Sequence, residues 1–207
     1  MQKSEVSIES TAHVHLEKKA IRALGVAESF RESEGRSTLA AVVMRSDLVV
    51  DGFAFGSLTV SGSDATLEIV SLVSKLKRND VNAIFLSGSV LSLYNIVDVD
   101  KASEDLDLPV VALTFRESSA NLAENIRSRF DTKTARSKIE LLEKLGTPKK
   151  VALKTGYSVF VRSAGISDAE TRRLLDRFLL QGSIPEPVRV ARLLAKNVAA
   201  LLREVRR

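Results

Sequence analysis

A change of hydrophobic period near residue 60 constrains the fold of this chain more than any other sequence feature. Before it, apolar runs at Ile21–Val26, Leu39–Met44 and Val49–Val60 are separated by short polar loops. This pattern predicts three strands joined as an antiparallel meander. After it, apolar residues recur at helical spacing from Ile69 to Leu76, and a short buried strand follows at Ala83–Leu86. The chain therefore begins as a strand ribbon and continues as helix–strand units.

The second half of the chain continues this alternation. The predicted elements are a helix at Val99–Leu106, a strand at Pro109–Phe115, helices at Ala120–Phe130 and Ala135–Leu145, and short strands at Val151–Leu153 and Val159–Val161. Ser167 and Glu170 have the spacing of a capping box, which predicts a helix running to about Gln181. Pro187 is well placed in the first turn of a last helix. We expect an α/β fold with a mixed sheet, an antiparallel ribbon on one edge, flanking helices and extra C-terminal helices, which is the layout of ribonuclease H-like folds.

Length and composition limit the domain count and the classes of chemistry. A chain of 207 residues suits one domain, and we expect a flexible polar segment at residues 1–19 before a domain at residues 20–207. The absence of cysteine excludes disulfides and thiolate chemistry. His13 and His15 are the only histidines, too few for a metal site of their own, and a mobile terminal segment is the simpler interpretation. No apolar run is long enough to span a membrane, so we expect a cytoplasmic protein.

Positive charge is concentrated toward the C-terminus. Residues 134–207 carry 16 Lys and Arg against 7 Asp and Glu. In the last helix the basic residues Arg189, Arg192, Lys196 and Arg203 lie near one face, where they either bind phosphates or form an ordinary solvated surface. Arg189 stands at the helix start, so we expect a carboxylate partner such as Glu186 or Asp168. The apolar face is predicted to hold Val190, Leu194, Val198, Leu201 and Val205, and to bury against the domain or a second subunit.

Two strand ends define the expected site. In open α/β sheets, ligands and metals bind at the carboxyl ends of strands. Here these ends read Gly25-Val26-Ala27-Glu28-Ser29 and Leu86-Ser87-Gly88, and Glu28 is their only carboxylate. The chain has neither the G-x-x-x-x-G-K-[ST] phosphate loop nor the G-x-S-x-G nucleophile turn.

Several segments together resemble an archaeal family. In the C-terminal part they are Gly165-Ile166-Ser167 to Leu180, and Gly182 to Ala191 with its Pro185-Glu186-Pro187. Earlier in the chain they are Asp51-Gly52, Gly62-Ser63-Asp64-Ala65-Thr66, Ser87-Gly88 followed by Tyr94-Asn95-Ile96-Val97-Asp98, and Leu108-Pro109-Val110-Val111. In this order they resemble the domain of unknown function numbered ninety-nine, whose fold is related to endonuclease V. The resemblance runs from about Ile21 to Ala200.

The resemblance implies a nuclease scaffold with an altered site. Endonuclease V cuts nucleic acid with carboxylates that hold magnesium, and the family pattern places acids where Ala27 and Ser87 stand here. The candidate replacement acids are Glu28, Asp51, Asp64 and Asp98. An extended strand would point Glu28 away from the side that Ala27 faces. The other three have local alternatives, as a turn residue for Asp51 and helix caps for Asp64 and Asp98.

Three hypotheses follow from this departure. The first is an endonuclease V-like protein that is catalytically impaired or inactive, needs no cofactor, and binds DNA or RNA through Arg189, Arg192, Lys196 and Arg203. The second is an active endonuclease in which relocated acids hold Mg²⁺ or Mn²⁺. The third is a non-enzymatic assembly protein that forms a homo-oligomer through the C-terminal helix.

Overall fold

The computed structural model describes residues 21–115 and 121–205. The predicted N-terminal segment 1–19, with His13 and His15, lies outside the described residues. Within these ranges no helix is long and apolar enough to cross a membrane.

A seven-stranded mixed sheet forms the centre of the molecule. Its strands are β1 (Arg22–Ser29), β2 (Arg36–Arg45), β3 (Val50–Thr59), β4 (Ala83–Leu86), β7 (Val110–Thr114), β8 (Lys149–Ala152) and β9 (Ser158–Ala164), and a separate small hairpin consists of β5 (Val90–Leu91) and β6 (Asn95–Ile96). The spatial order is β3-β2-β1-β4-β7-β9-β8. Strands β1, β4 and β7 are parallel, whereas β1–β3 form an antiparallel meander. The predicted ribbon on the edge of a parallel sheet is confirmed.

The described residues form six helices, four of which cover the two faces of the sheet. They are α1 (Ala65–Lys75), α2 (Val99–Leu106), α3 (Leu122–Arg129), α4 (Thr132–Leu145), α5 (Asp168–Arg177) and α6 (Glu186–Val205). Helices α1, α2, α5 and α6 cover the sheet, while α3 and α4 pack on the β5–β6 hairpin. Helices α1 and α2 share one core with the sheet, built on residues such as Leu24, Ile69 and Ala102. Helices α5 and α6 bury residues such as Leu175 and Val188 against the opposite face.

Most predicted elements are present, with local corrections. The capping box at Ser167 and Glu170 is confirmed, but α5 ends at Arg177 rather than near Gln181. The β5–β6 hairpin was not predicted, because strands of two residues carry no periodic signal. A bulge interrupts the pairing of β3 with β2, since Val43 pairs with Gly52 and Met44 with Val50, leaving one extra residue on β3.

Helix α6 crosses β1 in backbone contact. A Cβ atom on Gly25 would lie 2.2 Å from the carbonyl carbon of Pro187, so only glycine fits beneath the first turn of α6. Small side chains then continue the contact, since Ala191, Ala195 and Ala199 are buried. The predicted apolar face is confirmed in part, since Val190 and Leu194 pack against this contact. Leu201 and Val205 are 58% and 76% exposed, because the close helix–sheet approach selects the alanine stripe instead.

Candidate functional site

The expected site lies where β1 and β4 end side by side. Val26 pairs with Leu86, and the Ser87 amide donates to the Val26 carbonyl oxygen at 2.9 Å. The Ala27 side chain is 1% exposed and packs in a small cluster with Val42 and Ala191 of α6. The methyl group of Ala27 therefore supports the helix and offers no ligand atom.

An arginine occupies the space in front of Ser87. The Arg192 Nε atom donates to Ser87 Oγ at 2.8 Å, and its guanidinium lies 4.4 Å from the ring centroid of Phe115, just beyond β7. Burial lowers the pKa of Arg192, but a guanidinium keeps its charge at neutral pH. Among the described residues, the terminal NH₂ groups of Arg192 have no hydrogen-bond partner. They can bind an oxyanion in a bidentate manner.

The residues at the two strand ends do not fit a magnesium ion. Mg²⁺ is held through carboxylates and water in near-octahedral geometry, whereas Ala27, Ser87 and Arg192 offer a methyl group, a hydroxyl and a cation. Within residues 21–115 and 121–205, no group of three His, Cys, Asp or Glu side chains could hold a metal ion.

Glu28 lies on the other face of the sheet. Its carboxylate accepts a hydrogen bond from the Ser92 amide at 2.6 Å and a second from the Ser92 hydroxyl, which is also hydrogen-bonded to the Ser37 hydroxyl. Burial raises the pKa of Glu28, and the hydrogen bonds from Ser92 oppose that shift. The bound turn is unusual, because Ser92, Leu93 and Tyr94 all have positive φ angles, of 38°, 60° and 67°. Glu28 thus holds a strained turn in place.

Asp64 binds the same segment from a different side. Its carboxylate accepts from Thr59 Oγ1 at 2.6 Å and from Asn95 Nδ2 at 2.5 Å. Burial alone would raise the pKa of Asp64, but these hydrogen bonds together lower it. Asp64 is the N-cap residue of α1, as predicted, but its side chain makes no capping hydrogen bond. Asn95 provides that bond instead, since its Oδ1 accepts from the Ala65 amide at 2.9 Å.

A buried lysine completes this polar cluster. Lys138 of α4 is 4% exposed, and its Nζ donates to the carbonyl oxygens of Gly62 and Tyr94. The ammonium also lies 4.8 Å from the Phe130 ring centroid. Burial lowers the pKa of Lys138, and the negative charge of Asp64 opposes that shift. Sequence reasoning missed this residue, although its position three residues after the buried Ala135 placed it on the inner face of α4.

Asp51 and Asp98 lie away from Glu28. Asp51 forms an ion pair with Arg22 at 2.5 Å. Arg22 is at the amino end of β1, about 20 Å along the strand from Glu28. Asp98 caps α2 as predicted, accepting from the Lys101 amide, and it also binds Lys144 at 2.7 Å. Of the four candidate acids, the structure brings only Glu28 and Asp64 to one segment, the turn at residues 92–95.

The basic residues of α6 differ in their surroundings. Arg189 binds Glu186 through two contacts at 2.8 and 2.6 Å, so one of its two expected partners is confirmed. Arg203 binds Glu34 of the β1–β2 loop at 2.5 Å. Lys196 is exposed, and Arg192 is the one that enters the strand-end site.

The strand order defines a mixed α/β protein whose fold matches that of endonuclease V. The chain belongs to the endonuclease dU family, whose model matches residues 19–199. It is 35% identical over 179 residues to the UPF0215 protein of Pyrobaculum calidifontis, covering 86% of this chain and 97% of the relative.

Solved structures show the same fold. A protein of unknown function from Archaeoglobus fulgidus superposes with a TM-score of 0.75 at 24% identity, over 86% of this chain and 98% of that one. Ciona intestinalis endonuclease V, solved with a 24-mer DNA that contains an inosine followed by a ribo-adenosine, gives a TM-score of 0.58 at 12% identity. That match covers 89% of this chain and 87% of the other.

Proposed function

We propose that this protein is an endonuclease V-like nucleic-acid-binding protein that holds a backbone phosphate with Arg192 and lacks efficient metal-dependent cleavage. One observation carries the proposal: the Arg192 guanidinium is hydrogen-bonded to Ser87 at the carboxyl end of β4. By resemblance, the family pattern has an acid at that position. A cation there repels Mg²⁺ and attracts a phosphodiester.

The geometry of Arg192 favours a phosphate as its ligand. The Nε bond to Ser87 and the Phe115 ring fix the guanidinium plane, while its NH₂ groups can donate to an oxyanion in a bidentate manner. Arginine residues that bind carboxylates elsewhere in α6, such as Arg189 and Arg203, are already neutralised. We therefore assign the central phosphate contact to Arg192 and a peripheral one to the exposed Lys196.

The class of partner follows from the fold relatives. The Ciona intestinalis structure holds inosine-containing DNA, so we propose DNA or RNA as the partner of this chain. The positive charge of residues 134–207 supports the same choice.

A binding assay tests this proposal. Fluorescence anisotropy with labelled inosine-containing DNA and RNA, in EDTA and at low salt, is expected to show binding that Mg²⁺ does not strengthen. Arg192→Gln is expected to weaken binding about tenfold or more, since it removes a charge-assisted contact. Arg136→Gln is the matched control, because Arg136 is an exposed arginine of α4 that binds Glu140. Equal affinities for the two variants would contradict the proposal.

A cleavage assay separates this proposal from the alternative of relocated acids. Incubation of the same substrates with Mn²⁺ is expected to give little or no product. Robust turnover that Glu28→Gln abolishes, in a variant that thermal unfolding shows to be folded, would instead support an active endonuclease that depends on Glu28. Asp64, the one other candidate acid bound to the same turn, would then be the next residue to substitute.

A second candidate function is assembly through α6. Leu201 and Leu202 are 58% and 41% exposed near the end of this helix, and a homo-oligomer would bury them. Sedimentation velocity tests this function, because Leu201→Lys would dissociate such an oligomer. A dimer that persists in this variant would exclude α6 as the interface.

A further inference from the structure

The two edges of the sheet are protected to very different degrees. Strand β8 has four residues, and its exposed Lys149 and Lys150 discourage another strand from pairing. Strand β3 has ten residues, and Asp51 is its only charged one. Asp51 is already bound to Arg22 and Arg78. The β3 edge therefore lacks the charges that usually prevent edge-to-edge pairing.

Among residues 21–115 and 121–205, the middle of β3 has no backbone partner on its outer edge. Val60 donates to the Gly35 carbonyl oxygen directly opposite, so by the antiparallel alternation the backbone groups of Phe53 and Phe55 point away from β2. Toward the two ends of β3, the outward-facing backbone groups are already hydrogen-bonded to side chains. Arg78 donates to the Asp51 carbonyl oxygen at 2.7 Å, Arg36 donates to the Ser57 carbonyl oxygen at 3.2 Å, and Asp64 accepts from the Thr59 amide at 3.2 Å. The open window is thus centred on residues 53–55.

The sequence of this window is its own mirror image. Gly52-Phe53-Ala54-Phe55-Gly56 reads the same in both directions about Ala54. The two phenylalanines share one face and are 52% and 48% exposed. The glycines and Ala54 lie on the other face, toward α1, where a Cβ on Gly56 would touch Leu72. A palindromic strand with a free central backbone is self-complementary under two-fold symmetry.

We propose that β3 pairs antiparallel with β3 of a second copy of this chain, with the two-fold axis at Ala54. Phe53 then lies opposite Phe55 of the second copy, and Phe55 opposite its Phe53. These two residue pairs exchange four backbone hydrogen bonds, and they bring aromatic rings together across the strands. Gly52 lies opposite Gly56 and Asp51 opposite Ser57, so no like charges meet. The two sheets become one sheet of fourteen strands.

The size of this contact predicts reversible association. Four hydrogen bonds and four phenylalanine side chains form a small interface compared with permanent dimers. The apparent mass is therefore expected to rise with concentration from the 22.6 kDa monomer toward twice that value.

A charge-reversal pair tests both the interface and its register. Sedimentation velocity over a range of concentrations compares the native chain with Phe53→Lys/Phe55→Lys and Phe53→Lys/Phe55→Glu. In the first variant both cross-strand residue pairs become lysine–lysine pairs, so a monomer is expected at all concentrations. In the second, the lysine that replaces Phe53 faces the glutamate that replaces Phe55 in the other copy, and the dimer is expected to return. Both positions are half-exposed, and thermal unfolding of each variant confirms that it is folded.

Each other outcome overturns the proposal. A native chain that stays monomeric at millimolar concentration excludes the interface. A dimer that survives the double lysine change but dissociates with Leu201→Lys assigns the contact to α6. A monomeric Phe53→Lys/Phe55→Glu protein excludes the register centred on Ala54.

Discussion

At the scale of single residues, the site differs from a carboxylate metal centre through three side chains. Ala27 supports α6, Ser87 accepts a hydrogen bond, and Arg192 fills the space between the strand ends with a cation. The sequence shows the first two, because they follow directly after recognisable strands. Arg192 lies 105 residues after Ser87, and its helical spacing alone cannot separate it from the solvated arginines of the same helix.

Glu28 gives a prediction on pH. Burial raises its pKa in the folded state above the ordinary value of 4.5. At a pH between the ordinary pKa of the unfolded chain and the raised pKa of the folded state, Glu28 is protonated in the native state and ionised in the unfolded chain. The free energy of unfolding therefore falls as pH rises through this interval, by at most about 1.4 kcal/mol per pH unit. Glu28→Gln is expected to remove that slope in urea denaturation at a series of pH values. Parallel profiles for the two proteins would show that Glu28 ionises as freely in the fold as in the unfolded chain.

Gly25 gives a prediction on packing. An added Cβ would meet backbone atoms of Pro187 and Val188 at 2.2 to 2.5 Å, and backbone cannot move aside as a flexible side chain can. Gly25→Ala is expected to destabilise the fold by about 3 kcal/mol, measured by urea denaturation. Gly35→Ala is the control, because no atom lies within 4 Å of a Cβ there, and its effect should stay within about 0.5 kcal/mol. Similar losses for both variants would contradict the close approach of α6.

At the scale of elements, local signals predict where helices and strands lie but not how close they pack. Strand β4 and helix α2 have the predicted bounds, Ala83–Leu86 and Val99–Leu106, because β4 is an uninterrupted apolar run and the Asp98 cap marks the start of α2. The buried face of α6 was predicted on its large residues. Tertiary packing instead buries Ala191, Ala195 and Ala199. These small side chains are required because Gly25 lets α6 lie close to β1, and the sequence of α6 alone does not show this contact.

The alanine stripe of α6 can be tested with a matched pair. Ala195 is fully buried, whereas Ala200 lies exposed on the same helix. Ala195→Leu is expected to push α6 from the sheet and cost about 2 kcal/mol of unfolding free energy. Ala200→Leu makes the same change in helix propensity as Ala195→Leu, and it should change the free energy of unfolding by less than about 0.5 kcal/mol. Urea denaturation measures both, and a larger loss for Ala200→Leu would show that the helix is rotated from the described position.

At the scale of the whole molecule, the arrangement of strands is more predictable than the polar cluster around Lys138. The meander and the parallel strands follow from loop lengths and hydrophobic runs, and the structure confirms both. The cluster gathers Asp64, Asn95 and Lys138 from three distant segments. Each has an ordinary local explanation, so their meeting depends on the completed fold. That cluster joins α4, the residue 92–95 turn and the start of α1, and its charges should influence the stability of the entire domain.

The acid limb of the stability profile tests this coupling. Burial acts to raise the pKa of Asp64, but hydrogen bonds from Thr59 and Asn95 hold it below 3.8 in the folded state. The stabilisation from Asp64 is therefore complete above pH 3.8 and is lost as pH falls through the lowered pKa of the folded state.

Asp64→Asn should flatten the fall of stability at acid pH and cost about 2 kcal/mol of unfolding free energy at neutral pH, because the buried ammonium of Lys138 loses its nearby negative charge. Adding Lys138→Met should recover part of that loss, since the uncompensated charge is then gone. Asp105→Asn, which breaks only an exposed pair with Lys101, should change stability by less than about 0.5 kcal/mol. Strictly additive losses for Asp64→Asn and Lys138→Met in urea denaturation would show that the two side chains do not act as one cluster.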